Sequence, residues 1–236
     1  EVLTVCAAET DSDPGYRDVY DWQTENNAPA QKQARCDYAK RISADLIVRA
    51  TNLKAEVASY DFTSEFSTLQ AAANSVSDAL FYADKLTKDS KLKAALPQDS
   101  LGAFNETVLE SQFAYDSKAH IKNNLIGAKT VFQAGLDDYL TAAGQEQIAI
   151  DMVSAIDAAI VNIDAITGDM HSAIAAASDV AACINAAATG SYVGDSDIET
   201  ICALQFNIKT FTDLLKQDFV MVLNFSKPAA ADGDND

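Results

Sequence analysis

Glycine and proline are scarce in this chain of 236 residues, with 9 Gly and 4 Pro. Few breakers of regular structure argue against a loop-rich or collagen-like protein. Histidine occurs twice, as His120 and His171, and tryptophan once, as Trp22. No Cys-x-x-Cys pair exists, so neither a thioredoxin-like redox motif nor a paired-cysteine zinc site is written in the chain. No Gly-x-Ser-x-Gly elbow and no phosphate-cradling glycine loop occurs. The Glu-x-x-His motif of di-iron bundles is also missing. No apolar run approaches the length that spans a bilayer. Basic residues almost vanish after residue 129: from Thr130 onward 16 acidic residues face three lysines, Lys209, Lys216 and Lys227. The formal net charge of −18 repels phosphate backbones and anionic membrane surfaces, which excludes direct nucleic-acid binding.

What is abundant is alanine, with 42 residues, and a hydrophobic content of 48%. Alanine loses no side-chain entropy in a helix, so the composition predicts an all-α protein with a sizeable core. The expected fold is an elongated antiparallel bundle of five or six long helices over residues 29–226. An irregular acidic arm at 1–28 precedes it and a disordered acidic tail at 227–236 follows.

Apolar residues recurring at steps of three and four mark the helix faces. One face reads Ala39, Ile42, Leu46, Ala50, Leu53, Val57 and Tyr60, in a helix beginning at Pro29. A second helix is expected from Phe62 to Lys88, capped by Asp61, with Phe66, Leu69, Ala73, Val76, Leu80, Ala83 and Leu86 inward. A third runs from Ser100 to Ala143, with its period slipping at Asp116-Ser117 and near Gly127, and Gly144 ending it. A fourth carries Ile148, Met152, Ile156, Ile160 and Ile163, is interrupted at Thr167-Gly168, and resumes through Met170, Ile174 and Ile184. The last shows Ile201, Leu204, Ile208, Phe211, Leu215, Phe219 and Val222 behind a Ser196/Glu199 capping box.

Four cysteines carry the compartment argument. Cys183 and Cys202 flank one loop at similar distances, so antiparallel packing brings them level. Cys6–Cys36 is then the second pair and ties the arm to the first helix. Two disulfides imply an oxidising compartment, and a chain that begins at Glu1 reads as a mature secreted protein. The alternative is four buried thiols in a cytosolic protein. Asn105-Glu-Thr107 and Asn224-Phe-Ser226 are glycosylation sequons, a number that chance alone supplies in a chain with this much Asn, Ser and Thr.

Candidate chemistry is thin. His120 follows Asp116 by one helical turn and is the one place to look for a metal or an active site. His171 shares a stripe with Asp157 and Asp164 at steps of seven, about 10.5 Å per step, too far apart for one ion. A solvated acidic face explains both histidines better. The tail sequence Asp232 to Asp236 lacks the spacing of a calcium loop. The leading expectation is a secreted, non-enzymatic binding protein holding a small apolar ligand or pigment within the bundle, with no cofactor identified. The alternative is an extracellular coat or matrix protein that acts through its acidic face and by self-association, as a homo-oligomer or with another protein.

Overall fold

The computed structural model describes residues 29–111, 114–192 and 196–225. Among these, every regular element is helical and none is a strand. The chain divides into two compact units, residues 1–67 and 68–236. The predicted arm, the tail, Cys6 and Ser226 lie outside the described residues.

In the first unit a 31-residue helix, α1, runs Pro29–Ser59 and is followed by a 3-10 turn, Phe62–Ser64. Asp61 caps this turn, its carboxylate accepting the Thr63 N–H at 3.1 Å. The helix bounds agree with the sequence reading, but the expected inward face does not. Ile42, Leu46, Leu53, Val57 and Tyr60 are 48–63% exposed, and Ile47 and Val48 join them outside. Of the side chains described on α1, Cys36 alone is buried, at 6% exposure.

The second unit is a packed helical core. Helix α2 is Leu69–Leu80, capped by Thr68, whose hydroxyl accepts the Ala71 N–H. The chain then widens into a π-helical turn, Ala83–Ser90. The single helix expected over 62–88 is therefore three pieces, and its buried residues are Ala73, Ser77, Leu80, Phe81, Ala83, Asp84, Thr87 and Lys88. Ala73, Leu80 and Ala83 are inside as expected; Leu69, Val76 and Leu86, also expected inside, are exposed. Polar residues share the inward position, and a reading built on apolar spacing does not register them.

Among the described residues of 100–116 the one regular element is a 3-10 segment, Glu106–Val108, and α3 starts only at Ser117 (Ser117–Val131). The period slip at Asp116-Ser117 is thus a helix start. The kink expected near Gly127 lies instead in a π turn, Phe132–Leu136, where Gly135 takes φ 140°. Then follow α4 (Asp137–Ala142), α5 (Glu146–Ala165), α6 (Met170–Ala175), α7 (Val180–Thr189) and α8 (Asp197–Leu214). A third π turn, Leu215–Phe219, leads into α9 (Val220–Leu223). The expected break at Thr167-Gly168 separates α5 from α6. Asp169 and Asp179 cap α6 and α7 by accepting the N–H of Ser172 and Ala182 at 2.7 and 2.9 Å.

Helix α8 is the centre of this unit, packed against both α5 and α7. Its predicted face is inside: Ile201, Leu204, Ile208 and Phe211 are fully buried, and Leu215 and Phe219 continue the row. Phe219 meets Phe132 and Phe225 edge-on, with ring centroids 6.0 and 5.3 Å apart. Helices α3 and α5 run antiparallel, because Lys122 pairs with Asp164 at 2.5 Å and Lys129 with Asp157 at 2.6 Å. The acidic stripe read as solvated is therefore engaged by lysines, although such exposed rungs contribute only about 0–1 kcal/mol each.

Cys183 and Cys202 form a disulfide between α7 and α8, Cα atoms 5.3 Å apart, as the loop symmetry predicted. Closing a loop with a sequence separation of 19 stabilises by roughly 3 kcal/mol in the chain-entropy model. This is the one disulfide whose two cysteines both lie among the described residues; the expected second staple rests on Cys6, outside them. Ser196 sits at the α8 N-cap but makes no side-chain capping bond, so the serine half of the predicted capping box is not made.

Candidate functional site: a buried charge cluster and an open cleft on one π turn

The π turn Ala83–Ser90 carries two features, a buried charge cluster and an open cleft. The inward side is charged. Asp84 and Lys88 are both completely buried, with Lys88 Nζ 3.1 Å from Asp84 Oδ1. Lys216, from the C-terminal π turn, reaches the other oxygen, Asp84 Oδ2, at 3.0 Å. Asp89 lies 3.4 Å from Lys88 Nζ. A buried carboxylate between two ammonium groups is costly to assemble, because each charge loses its hydration. Two π turns supply the groups: Asp84 and Lys88 come from Ala83–Ser90 and Lys216 from Leu215–Phe219.

The outward side opens into a cleft of about 380 Å³ between this turn and α3. Ala79, Ala83, Leu86 and Val131 form apolar walls, with Tyr82 at the edge. Lys91, Asn123 and Asn124 supply polar groups. Asn124 Nδ2 donates to Thr87 Oγ1 at 3.3 Å, linking α3 to the π turn. Gly127 lines the cleft, and a Cβ there would meet nothing within 4 Å. Two further open clefts flank α8. One, about 350 Å³, lies beside Phe206, Lys209 and Gln217; the other, about 390 Å³, lies beside Gly168 and Asp197.

The residues singled out from sequence fall elsewhere. His120 Nδ1 lies 3.1 Å from Ser111 Oγ and 3.3 Å from Glu110 Oε2. Both partners use the same ring nitrogen, whereas a nucleophile–base–carboxylate relay needs them on opposite nitrogens. Lys91 Nζ is 2.9 Å from Glu110 Oε2. The bond from Lys91 does most to hold the Glu110 carboxyl below its usual range; burial opposes it, and the charge of Lys91 with the bond and charge of His120 add to the lowering. Asp116 occupies the N-cap of α3 without a side-chain capping bond. His171 stacks on Tyr115, centroids 4.4 Å apart. Asn105 and Asn224 are exposed; Asn105 Oδ1 accepts the Thr107 N–H at 3.2 Å and its hydroxyl at 2.6 Å. Among the described residues no group of three His, Cys, Asp or Glu is placed to hold a metal ion. None of the described helices is long and apolar enough to cross a membrane.

Sequence reasoning missed the Asp84–Lys88–Lys216 cluster. The one signal available was the i, i+4 spacing of Asp84 and Lys88, which on its own reads as an exposed pair. It also missed Asp197. That carboxylate accepts the N–H groups of Thr167 and Gly168, both at 2.8 Å, and ties the α5–α6 connection to the start of α8. Burial pushes its pKa up, but these bonds, the Thr167 hydroxyl and the charge of Lys118 outweigh burial and hold it below the usual carboxylate range.

These features define a class: a disulfide-stapled helical domain with a buried polar centre and open surface clefts. The family can be named as well. A family model, Peptidase_M75 (imelysin), matches residues 13–191, and the chain belongs to the imelysin family. Members of this family are typically secreted or periplasmic. No curated protein and no solved structure matches the chain.

Proposed function

We propose that this imelysin-family chain is an extracytoplasmic, non-catalytic binding protein that seats a small molecule with an apolar body in the cleft between the Ala83–Ser90 turn and α3. The observation that carries the reading is the cleft itself: about 380 Å³, with apolar walls and a few polar groups from Lys91, Asn123 and Asn124. Small-ligand sites have this composition, the apolar walls supplying affinity and the polar groups fixing orientation. The bundle interior suits a ligand less well, because Phe132, Phe211, Phe219, Met152 and Ile156 fill it. The seat is thus on the surface of the helical core, not within it as the sequence suggested. The disulfide and the family's typical location support an oxidising, extracytoplasmic setting.

The test is native mass spectrometry on the protein purified from its source, beside a Gly127→Leu variant made in the same host. Gly127 lines the cleft and a Cβ there meets nothing within 4 Å, so a leucine at this position competes with a ligand for that space. The expected result is a wild type that releases a small molecule on denaturation and a variant that carries none. A bare wild type, or equal loading of both, overturns the reading. The second reading, an extracellular structural protein, is favoured by a separate observation, the exposed apolar stripe on α1.

A further inference from the structure

We propose that the cleft between the Ala83–Ser90 turn and α3 takes an amphipathic carboxylic acid, its carboxylate on Lys91 and its unbranched apolar chain running toward Ala79 and Val131. The inference rests on the cleft reading above and names the chemistry of the ligand. The two walls run antiparallel: α2 packs against the Phe132–Leu136 turn that follows α3, while Thr87 meets Asn124. The lining residues therefore fall in a matched order. One wall runs Ala79, Ala83, Thr87, Lys91; the other runs Val131, Ala128, Asn124. Both walls are apolar at one end and polar at the other, and the like ends coincide. A groove graded in this way suits a molecule with a single polar head. An apolar ligand without one would displace water from the amides and the ammonium and return no hydrogen bond. Residues 124 to 131 span about 10 Å of helix, the reach of an extended chain of medium length.

Charge selects the head. Lys91 is the one charged residue among those lining this cleft, in a chain whose net charge is −18. Its side chain is only 18% exposed, so an ion pair made there is screened less than one at full exposure. Lys91 already holds a carboxylate: Glu110 Oε2 lies 2.9 Å from its Nζ. Glu110 is more exposed than Lys91, at 42%, and also lies 3.3 Å from His120 Nδ1, so it keeps a partner when it leaves Lys91. A ligand carboxylate therefore competes with Glu110 for the ammonium, and Glu110 is the internal stand-in for the ligand's head. A cationic head meets Lys91 as a like charge. A neutral hydroxyl gains a weaker hydrogen bond than a carboxylate does.

The experiment is calorimetric titration of the full chain with decanoate and with decanol, which share a chain length and differ in the head. The wild type is expected to bind decanoate about tenfold more tightly, the worth of one hydrogen bond to a charged group. Lys91→Met is expected to abolish that preference and Lys91→Arg to keep it. Glu110→Gln removes the internal competitor. It is expected to tighten decanoate by about threefold, the scale of a part-exposed ion pair, and to leave decanol unchanged. A preference that survives Lys91→Met overturns the inference, and so does a Glu110→Gln variant that binds decanoate no more tightly than the wild type. Decanol bound as tightly as decanoate, and excluded by Gly127→Leu, overturns the carboxylate while leaving the cleft as the seat. A wild type that takes neither probe also overturns the carboxylic acid, and the molecule released in native mass spectrometry then decides the cleft reading on its own.

Discussion

Helices α1 and α8 share a sequence pattern and differ in where it ends up. Both repeat apolar residues at steps of three and four. On α8 the row Ile201, Leu204, Ile208 and Phe211 is wholly buried; on α1 the row Ile42, Leu46, Leu53 and Val57 stays exposed. Periodicity reports that a helix has a face that gains by leaving water. It does not report what supplies the cover. On α8 the cover is written nearby in the chain, in α5 and α7. On α1 no comparable row is buried.

The largest expected effect tests that difference directly. Phe211→Ala removes a ring that is fully buried, and truncations of this kind cost about 3–5 kcal/mol. Leu46→Ala should cost less than about 0.5 kcal/mol in the monomer, as a surface change. Denaturant melts at ~1 μM protein compare the two.

Burial of charge should be nearly as sensitive as burial of an aromatic ring. Asp84→Ala takes the carboxylate from between Lys88 and Lys216, and removing one partner of a buried pair costs about 3 kcal/mol or more. The triple variant Asp84→Leu, Lys88→Met, Lys216→Met should recover most of that loss, since a well-packed apolar replacement of all three charges avoids the desolvation cost. If the triple variant remains as unstable as the single one, the cluster does more than satisfy itself, and its role belongs with the neighbouring cleft.

These residues also mark where a sequence can and cannot be read. The bounds of α1, the Cys183–Cys202 staple, the break at Thr167-Gly168 and the inward row of α8 were all legible, because each rests on local chemistry: spacing, loop symmetry or a turn dipeptide. The inward face of the Ala83–Ser90 turn was not. A π turn shifts the register that follows it, so the row extrapolated through Leu86 points outward while Asp84, Thr87 and Lys88 turn in. Asp197 was illegible for another reason. Its partners, Thr167 and Gly168, are some thirty residues away, and only tertiary structure brings them within 2.8 Å.

Asp197 gives the next effect. Asp197→Ala leaves the Thr167 and Gly168 N–H groups without their acceptor and should cost about 2 kcal/mol, the range for hydrogen bonds to a charged group. The pH dependence has a definite sign. The folded-state pKa of Asp197 is depressed, so its contribution is present above the unfolded value of about 4 and disappears as pH falls through the folded one. Glu110 is depressed as well, by Lys91 first, and acts in the same direction. Thermal melts from pH 7 down to pH 2 should show wild type losing its advantage over Asp197→Asn below about pH 4. A constant gap across that range would mean that the carboxylate charge is not what ties α8 to the α5–α6 connection.

The smallest effect contrasts a crowded glycine beside α8 with an open one on α3. Gly190 ends α7 at φ +67°, and a Cβ there would lie 2.5 Å from the ring of Phe206 on α8. Gly190→Ala meets both the left-handed backbone penalty, roughly 1 kcal/mol, and that ring. Gly127 has ordinary helical backbone and open space beyond it, so Gly127→Ala should stabilise by up to about 1 kcal/mol through helix propensity alone. The two substitutions add the same methyl group and should move the melting temperature in opposite directions. Should Gly127→Ala destabilise instead, something already occupies the space beside α3 in solution. The cleft would then have an occupant before any ligand is added, and the contrast between covered and open helices would extend from α1 to α3.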